Sequence, residues 1–445
     1  MKIIRSHVNE IIFSQYFKQQ SADQVKLSRY TYCCKVKRDT IVCFSFVSDA
    51  IVILNDEEYR CVCDMNFGCN QLLFRVLQDS GFFVDKNADE YQFMAEHRKN
   101  IFRLSSKTVK FVILPTTFCN AGCRYCIGEN NPMMNMTDET AMAAIDFIVN
   151  KASTYENIKF DWYGGEPLLR RDLISYICNE VSRRLPTCKF SSVITTNLAL
   201  FDDDVLESAI REWHVRKVNV TLDGTEEEHN ARKNYCNKQL NGYQHTLRCI
   251  KSLVEHGITV FCRFNIDRDN YGSLETILDD LKPLIGDKNL YFFVSPLRGD
   301  NDHREFYAVS EYNNLLYNTG VLLNKHGIHN SIDSFVPRLA MGVCLAKSEN
   351  CIVIAPDGVI YRCNLDDLVR NNATGSVYSG IEKNDVYRRF LKLQLDEQCI
   401  TCNFLPICQG GCPVEANHAS LSNSKCIKFK YKIDGIAKLL SEYYV

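Results

Sequence analysis

Residues 116–126 read TTFCNAGCRYC and follow the strand-like run Lys110 to Leu114. Cys119, Cys123 and Cys126 thus stand in Cys-x3-Cys-x2-Cys spacing on one polar loop. A four-iron cluster held by three thiolates keeps one iron open for a substrate or cofactor, and this spacing lets one loop wrap one cube. The competing explanation is three buried structural thiols, since free cysteine packs as a small hydrophobe. The loop's place after a strand favours chemistry, because barrels of parallel strands build their sites at the carboxyl ends of those strands.

From Val109 to about Gly327, extended and helical segments alternate, the pattern of parallel βα units with right-handed crossovers. Strands are predicted at Lys110 to Leu114, Ile158 to Tyr163, Phe190 to Thr195, Lys217 to Leu222, Thr259 to Ile266 and Leu290 to Val294. Helices are predicted near Asp138 to Lys151, Leu168 to Arg184, Asp202 to Arg211, Tyr243 to His256, Ser273 to Leu281 and Glu311 to His326. Six units are too few for an eight-fold barrel. The expected fold class is therefore α/β, a partial (β/α)6 barrel over residues 106–329 that is open on one side. Upstream, RYTYCCKV, IVCFSFV and AIVILN read as short strands, with a turn at Lys37 to Thr40. Helical patterns at Asp56 to Met65 and Cys69 to Gln78, an extended FFVD and a polar helix up to Arg103 complete a small α+β domain, residues 1–105. From Asn330 regular pattern fades and cysteine becomes dense, which sets off a third domain, residues 330–445.

Composition bounds the function. The 445 residues carry 52 basic and 54 acidic side chains, a net charge of −2, which gives no field for collecting nucleic acid or anionic lipid. Apolar stretches fall far below the ~18 to 20 residues that span a bilayer, so no membrane segment is expected. The opening MKIIRSHVNEIIFSQ has no apolar signal core, which points to the cytoplasm. The 22 cysteines are too sparse for a disulfide scaffold in so long a chain and read as reduced thiols or metal ligands.

The other strand ends carry polar residues suited to a ligand. Tyr163-Gly164-Gly165-Glu166-Pro167 offers two glycines for close backbone approach and a carboxylate that can accept from an ammonium group. Thr195-Thr196-Asn197 and Thr221-Leu222-Asp223-Gly224, followed by His229 and Arg232, offer groups for ribose hydroxyls and a carboxylate. The short polar residues serve equally as helix caps. Arg263, Asn265 and Arg298 are picked out by position alone.

Together these segments resemble the radical S-adenosylmethionine (radical SAM) superfamily, with Tyr125 as the aromatic residue of its cysteine motif. The resemblance implies that the open iron chelates S-adenosylmethionine. One electron then cleaves the sulfonium, and the 5′-deoxyadenosyl radical abstracts a substrate hydrogen. It further implies that Gly164, Gly165 and Glu166 receive the cofactor's amino group, and that Asn197, Thr221, Asp223, Arg232 and Arg263 bind the rest of it.

Cys344, Cys351, Gly358 and Cys363 precede the run Cys399-x2-Cys402-x5-Cys408-x3-Cys412 and a final Cys426. Eight cysteines suffice for two four-thiolate sites. Zinc is the rival occupant, and spacing alone does not decide. The array resembles the SPASM domain of peptide-modifying radical enzymes. On that pattern an inner cluster takes Cys344, Cys351, Cys363 and Cys412, and an outer one takes Cys399, Cys402, Cys408 and Cys426. Cys351 is the least constrained, because the core of the pattern does not require it. In the sulfatase-maturating branch an aspartate serves as base where this chain has Asn364, and an amide cannot take that proton. The other eleven cysteines, Cys61 and Cys63 included, are expected to be buried reduced thiols.

The N-terminal domain resembles the peptide-recognition domains of ribosomal-peptide maturases, which bind a leader by strand addition. A stabilising extension of the barrel is the alternative. The expectation is a maturase with three four-iron clusters and S-adenosylmethionine that cross-links a precursor peptide, supplied with electrons by a flavodoxin- or ferredoxin-type donor. Sulfatase-type oxidation, peptide epimerisation and a multi-cluster electron carrier are the alternatives.

Overall fold

The structure is a computed structural model, and it describes residues 1–6, 17, 20–68, 70–103, 107–297, 311–328, 339, 344–365, 368–391, 395, 397–414, 426, 430 and 432–444. Arg298 and Cys69 lie outside the described residues.

The N-terminal unit contains β1 (Lys2–Arg5), β2 (Val25–Leu27), β3 (Thr31–Lys37), β4 (Thr40–Ser45), β5 (Ile51–Leu54) and β6 (Phe83–Asp85). One antiparallel sheet runs β1-β5-β4-β3, and β2 pairs with β6. Helices α1 (Asp56–Cys63), α2 (Gln71–Asp79) and α3 (Glu90–Arg103) accompany them. The first begins at a reciprocal cap: Asn55 Oδ1 accepts from the Glu58 N–H at 2.8 Å, and Glu58 Oε2 accepts from the Asn55 N–H at 2.9 Å. Strands β4 and β5 are apolar at nearly every position because both sheet faces are covered. Ile41, Cys43, Val52 and Leu54 pack against Leu73, Phe74 and Leu77 of α2. The other face, with Val42, Phe44, Ile51 and Ile53, packs against Ile433, Ile436, Ala437 and Leu440 near the end of the chain. The predicted strands and helices of this unit are present, while β1 was too short and mixed to announce itself.

The barrel supplies β7 (Thr108–Ile113), β8 (Asn157–Trp162), β9 (Lys189–Thr195), β10 (Val215–Leu222), β11 (Thr259–Ile266) and β12 (Leu290–Pro296), all mutually parallel. Between and after them run α4 (Asp138–Ala152), α5 (Arg171–Arg184), α6 (Asp203–Arg211), α7 (Glu226–Lys233), α8 (Gly242–Glu255), α9 (Leu274–Leu281) and α10 (Tyr312–Lys325). Each predicted strand and helix appears within a few residues of its expected bounds. The α/β reading therefore holds, with α7 as an extra helix in the fourth crossover.

The sheet does not stop at β7. Cys351–Ile354 forms β13, parallel to β7 from Cys351 opposite Lys110 to Ile354 opposite Ile113, and β14 (Ile360–Tyr361) returns antiparallel to it. The full order is β12-β11-β10-β9-β8-β7-β13-β14. The cysteine-dense region is thus built onto the barrel sheet. Beyond it come the short α11 (Asp385–Leu391), α12 (Glu397–Ile400) and α13 (Leu405–Cys408), then α14 (Ile433–Tyr444). Helix α14 bridges the N-terminal sheet and α10. Gly320 admits Leu439 so closely that an added Cβ would lie 2.3 Å from Leu439 Cδ2, and the Tyr443 hydroxyl donates to the Gly320 carbonyl at 3.1 Å.

Candidate functional site

Strand β7 delivers the three-cysteine loop, which is fastened at both flanks. Thr116 Oγ1 donates to Asn135 Oδ1 at 2.6 Å, and Thr117 Oγ1 donates to the Pro132 carbonyl at 2.6 Å. Midway, the Gly122 N–H donates to the Lys233 carbonyl at 3.0 Å. The glycines after β8 serve this loop. At Gly164, φ is +125° and an added Cβ would lie 2.2 Å from the Thr116 carbonyl oxygen; at Gly165 it would lie 2.1 Å from that of Phe118. The glycines thus admit a close approach of the loop backbone, sealed by Gly165 and Glu166 N–H groups donating to the Thr116 and Phe118 carbonyls at 3.1 and 2.9 Å.

Glu166 is 1% exposed and joins two strand ends. Its Oε1 accepts from the Thr196 hydroxyl at 2.8 Å and the Leu168 N–H at 3.1 Å, and its Oε2 accepts from the Asn197 N–H at 2.8 Å. Burial pushes its pKa up to about 7 against the pull of those bonds. Asn197 turns its side chain to the loop, donating to Asn120 Oδ1 at 2.7 Å, with Cys119 Sγ 3.8 Å from the same nitrogen.

Beneath the loop, Asp223 is fully buried and partnered by protein. It accepts from Tyr125 Oη and from Asn265 Nδ2, the latter at 2.9 Å, and pairs with the Lys233 ammonium at 3.0 Å. Lys233 also donates to Tyr125 Oη at 3.0 Å and to Thr221 Oγ1. Burial alone would raise the Asp223 carboxyl, yet the Lys233 charge and the bonds from Tyr125 and Lys233 hold it below its ordinary range. The His229 Nδ1 accepts from the Asp223 N–H at 3.3 Å, so its Nε2 carries the proton toward Tyr235 Oη, 3.1 Å away. Burial depresses its pKa to about 3, which keeps the ring neutral. Arg232 pairs with the buried Asp267, which Arg124 also reaches at 3.3 Å. Asn270 ties this corner together by donating to the Asp223 and Asn265 carbonyls, each at 2.8 Å.

The three loop thiols are free of disulfides, and Cys119 feels the charges of Cys123 and Cys126. Burial pushes Cys119 up to about 11. Metal ligation would reverse that, because a bound cation stabilises thiolate. Among the described residues no three His, Cys, Asp or Glu side chains close on one metal-ion position. A four-iron cluster asks for a wider spread, since each thiolate meets a different iron. Arg263 adds an orphan: its Nε is buried without a hydrogen-bond partner, a group suited to a carboxylate.

The second cysteine group forms on β13 and β14. Their register sets Val353 opposite Tyr361 and Ile354 opposite Ile360, and Cys363 follows two residues after the end of β14. Arg362 locks that pairing by donating to the Cys351 carbonyl at 3.0 Å and the Ala346 carbonyl at 3.0 Å. Cys363 and Cys412 pack against one apolar cluster of Ala346, Phe390 and Val414. The buried Lys347 reaches from beside Cys344 to the carbonyls of Gln409 and Gly411 at 3.1 and 2.7 Å. Cys402 packs on the N-terminal sheet cluster, and Arg98 lies within electrostatic reach of Cys399 and Cys408. Tyr163 packs against the apolar cluster that contains Val112, Leu114, Cys351 and Val353. Arg263, Cys126 and Cys363 all act on its phenol, whose pKa burial raises to about 12.

Of the remaining cysteines, Cys43, Cys178, Cys249 and Cys262 are buried as expected, whereas Cys63 and Cys236 are exposed. Sequence reasoning missed Lys233, Asp267, Asn270 and Lys347. A lysine among Asn230, Ala231 and Arg232 reads as solvent-facing, and no spacing rule marks it.

Residues 113–281 match the model of the radical SAM superfamily. An uncharacterized protein of Methanocaldococcus jannaschii is 34% identical over 119 residues, 26% of this chain and 40% of that protein, so the chain spans less than half of that relative. The cysteine-type anaerobic sulfatase-maturating enzyme of Clostridium novyi is 25% identical over 69% of this chain and 88% of its own. Among solved structures, anSMEcpe with bound AdoMet has a TM-score of 0.60 at 17% identity, covering 76% of this chain and 98% of that one. Streptococcus suis SuiB bound to precursor peptide SuiA has a TM-score of 0.52 at 14% identity, covering 91% of this chain and all of that one. These likenesses fix the fold of the barrel and its extensions.

Proposed function

We propose that this chain, which carries a radical SAM domain, is a maturase that abstracts a hydrogen from a ribosomally made peptide and installs a cross-link in it. Residues 106–329 would hold the reaction chamber, residues 330–445 two further clusters, and residues 1–105 the peptide's leader. One observation supports the reading: β13, which opens with Cys351, pairs in parallel with β7, the strand that delivers the three-cysteine loop, so both cysteine groups are built on one sheet.

A four-iron cluster on Cys119, Cys123 and Cys126, with S-adenosylmethionine, would supply the hydrogen-abstracting radical. This chain's residues do the holding. Glu166 presents carboxylate oxygens to the cofactor's ammonium, and the orphaned Nε of Arg263 suits its carboxylate. Tyr125, tethered by Lys233 and Asp223, fixes the loop between Cys123 and Cys126. Asn197 steadies the other side of the loop through Asn120. Asp223 is satisfied by protein and Arg232 is ion-paired with Asp267, though its Nε, like that of Arg263, is buried without a hydrogen-bond partner among the described residues; their part is to position the strand ends, while Thr221 sits beside Lys233. The inner set Cys344, Cys351, Cys363 and Cys412 and the outer set Cys399, Cys402, Cys408 and Cys426 supply four thiolates each, leaving electron acceptance as their task. That favours a carbon-centred cross-link over capture of a peptide thiolate.

Strand β3 is an edge of the N-terminal sheet, the position from which a peptide strand can be added. Electrons would come from a flavodoxin- or ferredoxin-type protein of the cytoplasm. Among the described residues no helix is long and apolar enough to cross a membrane.

The second reading is sulfatase-type oxidation, favoured by the relative from Clostridium novyi. Asn364 counts against it, for an amide offers no base. The test is anaerobic turnover with a precursor peptide encoded beside the gene. Loss of two hydrogens from the peptide without a new aldehyde, dependent on S-adenosylmethionine, is expected; an unchanged mass in ordinary water with gain of one deuterium in heavy water would instead mean epimerisation, and a serine- or cysteine-derived aldehyde would restore the second reading.

A further inference from the structure

We propose that Lys347 is the electrostatic link between the two auxiliary cysteine sites, a buried cation that sets how readily a cluster there takes an electron. The inference rests on the three-cluster reading above.

Lys347 is 7% exposed, yet its bonds go to two neutral carbonyls, those of Gln409 and Gly411. Among the described residues no carboxylate pairs with it. A buried ammonium with only dipoles for company is costly unless an anion lies close. Cys344 stands three residues before it, and the carbonyls it grips belong to the residue after Cys408 and the residue before Cys412; those three thiols lie within its electrostatic reach, as does the Arg98 guanidinium. Cys344 and Cys412 belong to the proposed inner set and Cys408 to the outer. The two carbonyls it grips lie on the three-residue stretch between Cys408 and Cys412, where the chain crosses from one proposed set to the other. A second buried cation, Arg362, is likewise bound only to carbonyls and lies over the Tyr387 ring at 5.2 Å, with Cys351 and Cys344 in reach. An iron cube with four thiolates is a net anion, and it becomes more negative on reduction. A fixed cation beside it therefore favours the reduced form. Lys347 can act on both sites at once, whereas Arg362 faces the inner pair alone. Lys347 is a positioning residue in this sense: it touches no substrate, and its work is done through charge.

The test uses the full chain with its clusters reconstituted anaerobically, following reduction by electron paramagnetic resonance during a potential titration, alongside iron content. In K347M an auxiliary signal is expected to titrate at a more negative potential, with the reduced-to-oxidised ratio at fixed potential falling about tenfold, or about 59 mV for a one-electron couple. K347R, which keeps the charge, is expected to remain near the parent. If K347M fails to retain auxiliary iron and K347R retains it, charge is again the cause. Parent-like potentials in iron-replete K347M would overturn the proposal, and so would equal iron loss in both variants, which would reduce Lys347 to a mechanical tether. Absence of auxiliary iron from the unsubstituted chain would instead bring down the three-cluster reading itself.

Discussion

Two buried lysines sit beside the two cysteine regions, and the fold treats them in opposite ways. Lys233, under the three-cysteine loop, has a carboxylate at 3.0 Å and two hydroxyls around it. Lys347, in the C-terminal array, has only carbonyls as partners among the described residues. The first charge is balanced by the protein before any cofactor arrives, so the loop can be shaped in advance. On the three-cluster reading proposed above, the second is left for the clusters that the thiols would hold. One site is balanced within the protein, and the other would depend on its occupant for electrostatic balance.

The largest test of this contrast removes the loop ligands. Three clusters require twelve irons by ligand count. Replacing Cys119, Cys123 and Cys126 with alanine is expected to abolish S-adenosylmethionine cleavage under dithionite while leaving about eight irons per chain. Iron analysis and detection of 5′-deoxyadenosine check this, and zinc in the array of anaerobically purified protein would refute the assignment.

Breaking the preorganised pair comes next. Lys233→Met leaves Asp223 buried and uncompensated, a change that costs about 3 to 5 kcal/mol. The double variant with Asp223→Asn is expected to recover much of that loss. Urea unfolding of the cluster-free chains measures both; a single variant within about 1 kcal/mol of the parent would show that the pair is not the local anchor.

Glu166→Gln probes a subtler form of preparation. Losing a charged acceptor weakens cofactor binding by about 1.5 to 3 kcal/mol, roughly ten- to a hundredfold. Because burial holds this carboxyl near 7, the parent is expected to bind progressively less S-adenosylmethionine as pH falls below that value, where the protonated acid can no longer accept from an ammonium. The glutamine variant is expected to bind weakly at every pH. Isothermal titration across that range separates the two, and a flat parent profile would remove Glu166 from the ammonium contact.

The smallest effect concerns His229. Its pKa in the folded chain, about 3, lies below the unfolded value near 6.5, so the unfolded state takes up the proton first. Stability is therefore fully present above the unfolded value and declines as pH drops toward 3, by about 1.4 kcal/mol per unit. Between pH 7.5 and 5.5, His229→Gln is expected to lose less stability than the parent by about that amount. Equal slopes in urea titrations at the two pH values would show that the ring titrates freely.

Much of the barrel was legible because each strand pairs a short apolar run with a polar end, as in FVIL before Cys119 and NVTL before Asp223. The three-cysteine loop could be read because its three ligands lie within eight residues. The Cys351–Ile354 strand was not, for four apolar residues inside an aperiodic, cysteine-rich stretch carry no period to count. Nor could residue spacing reveal the polar corner of Lys233, Asp267 and Asn270, because its members meet only when α7 and the end of β11 are brought together. Gly164 and Gly165 were legible as a place of close approach, and the structure shows one partner of that approach, the backbone of the three-cysteine loop.

The insertion of β13 beside β7 also has a bearing on how the protein is made. Until Cys351–Ile354 has been synthesised, 238 residues after Ile113, one side of β7 lacks its partner and remains an open strand edge. At ribosomal speeds of about 5 to 20 residues per second, that interval lasts roughly ten to fifty seconds. An unpaired edge is a template for misassociation, so the nascent barrel is vulnerable throughout that time. The residue that opens the closing strand, Cys351, is also a thiol of the proposed inner set, so completion of the sheet and assembly of the auxiliary site share one late step in biogenesis.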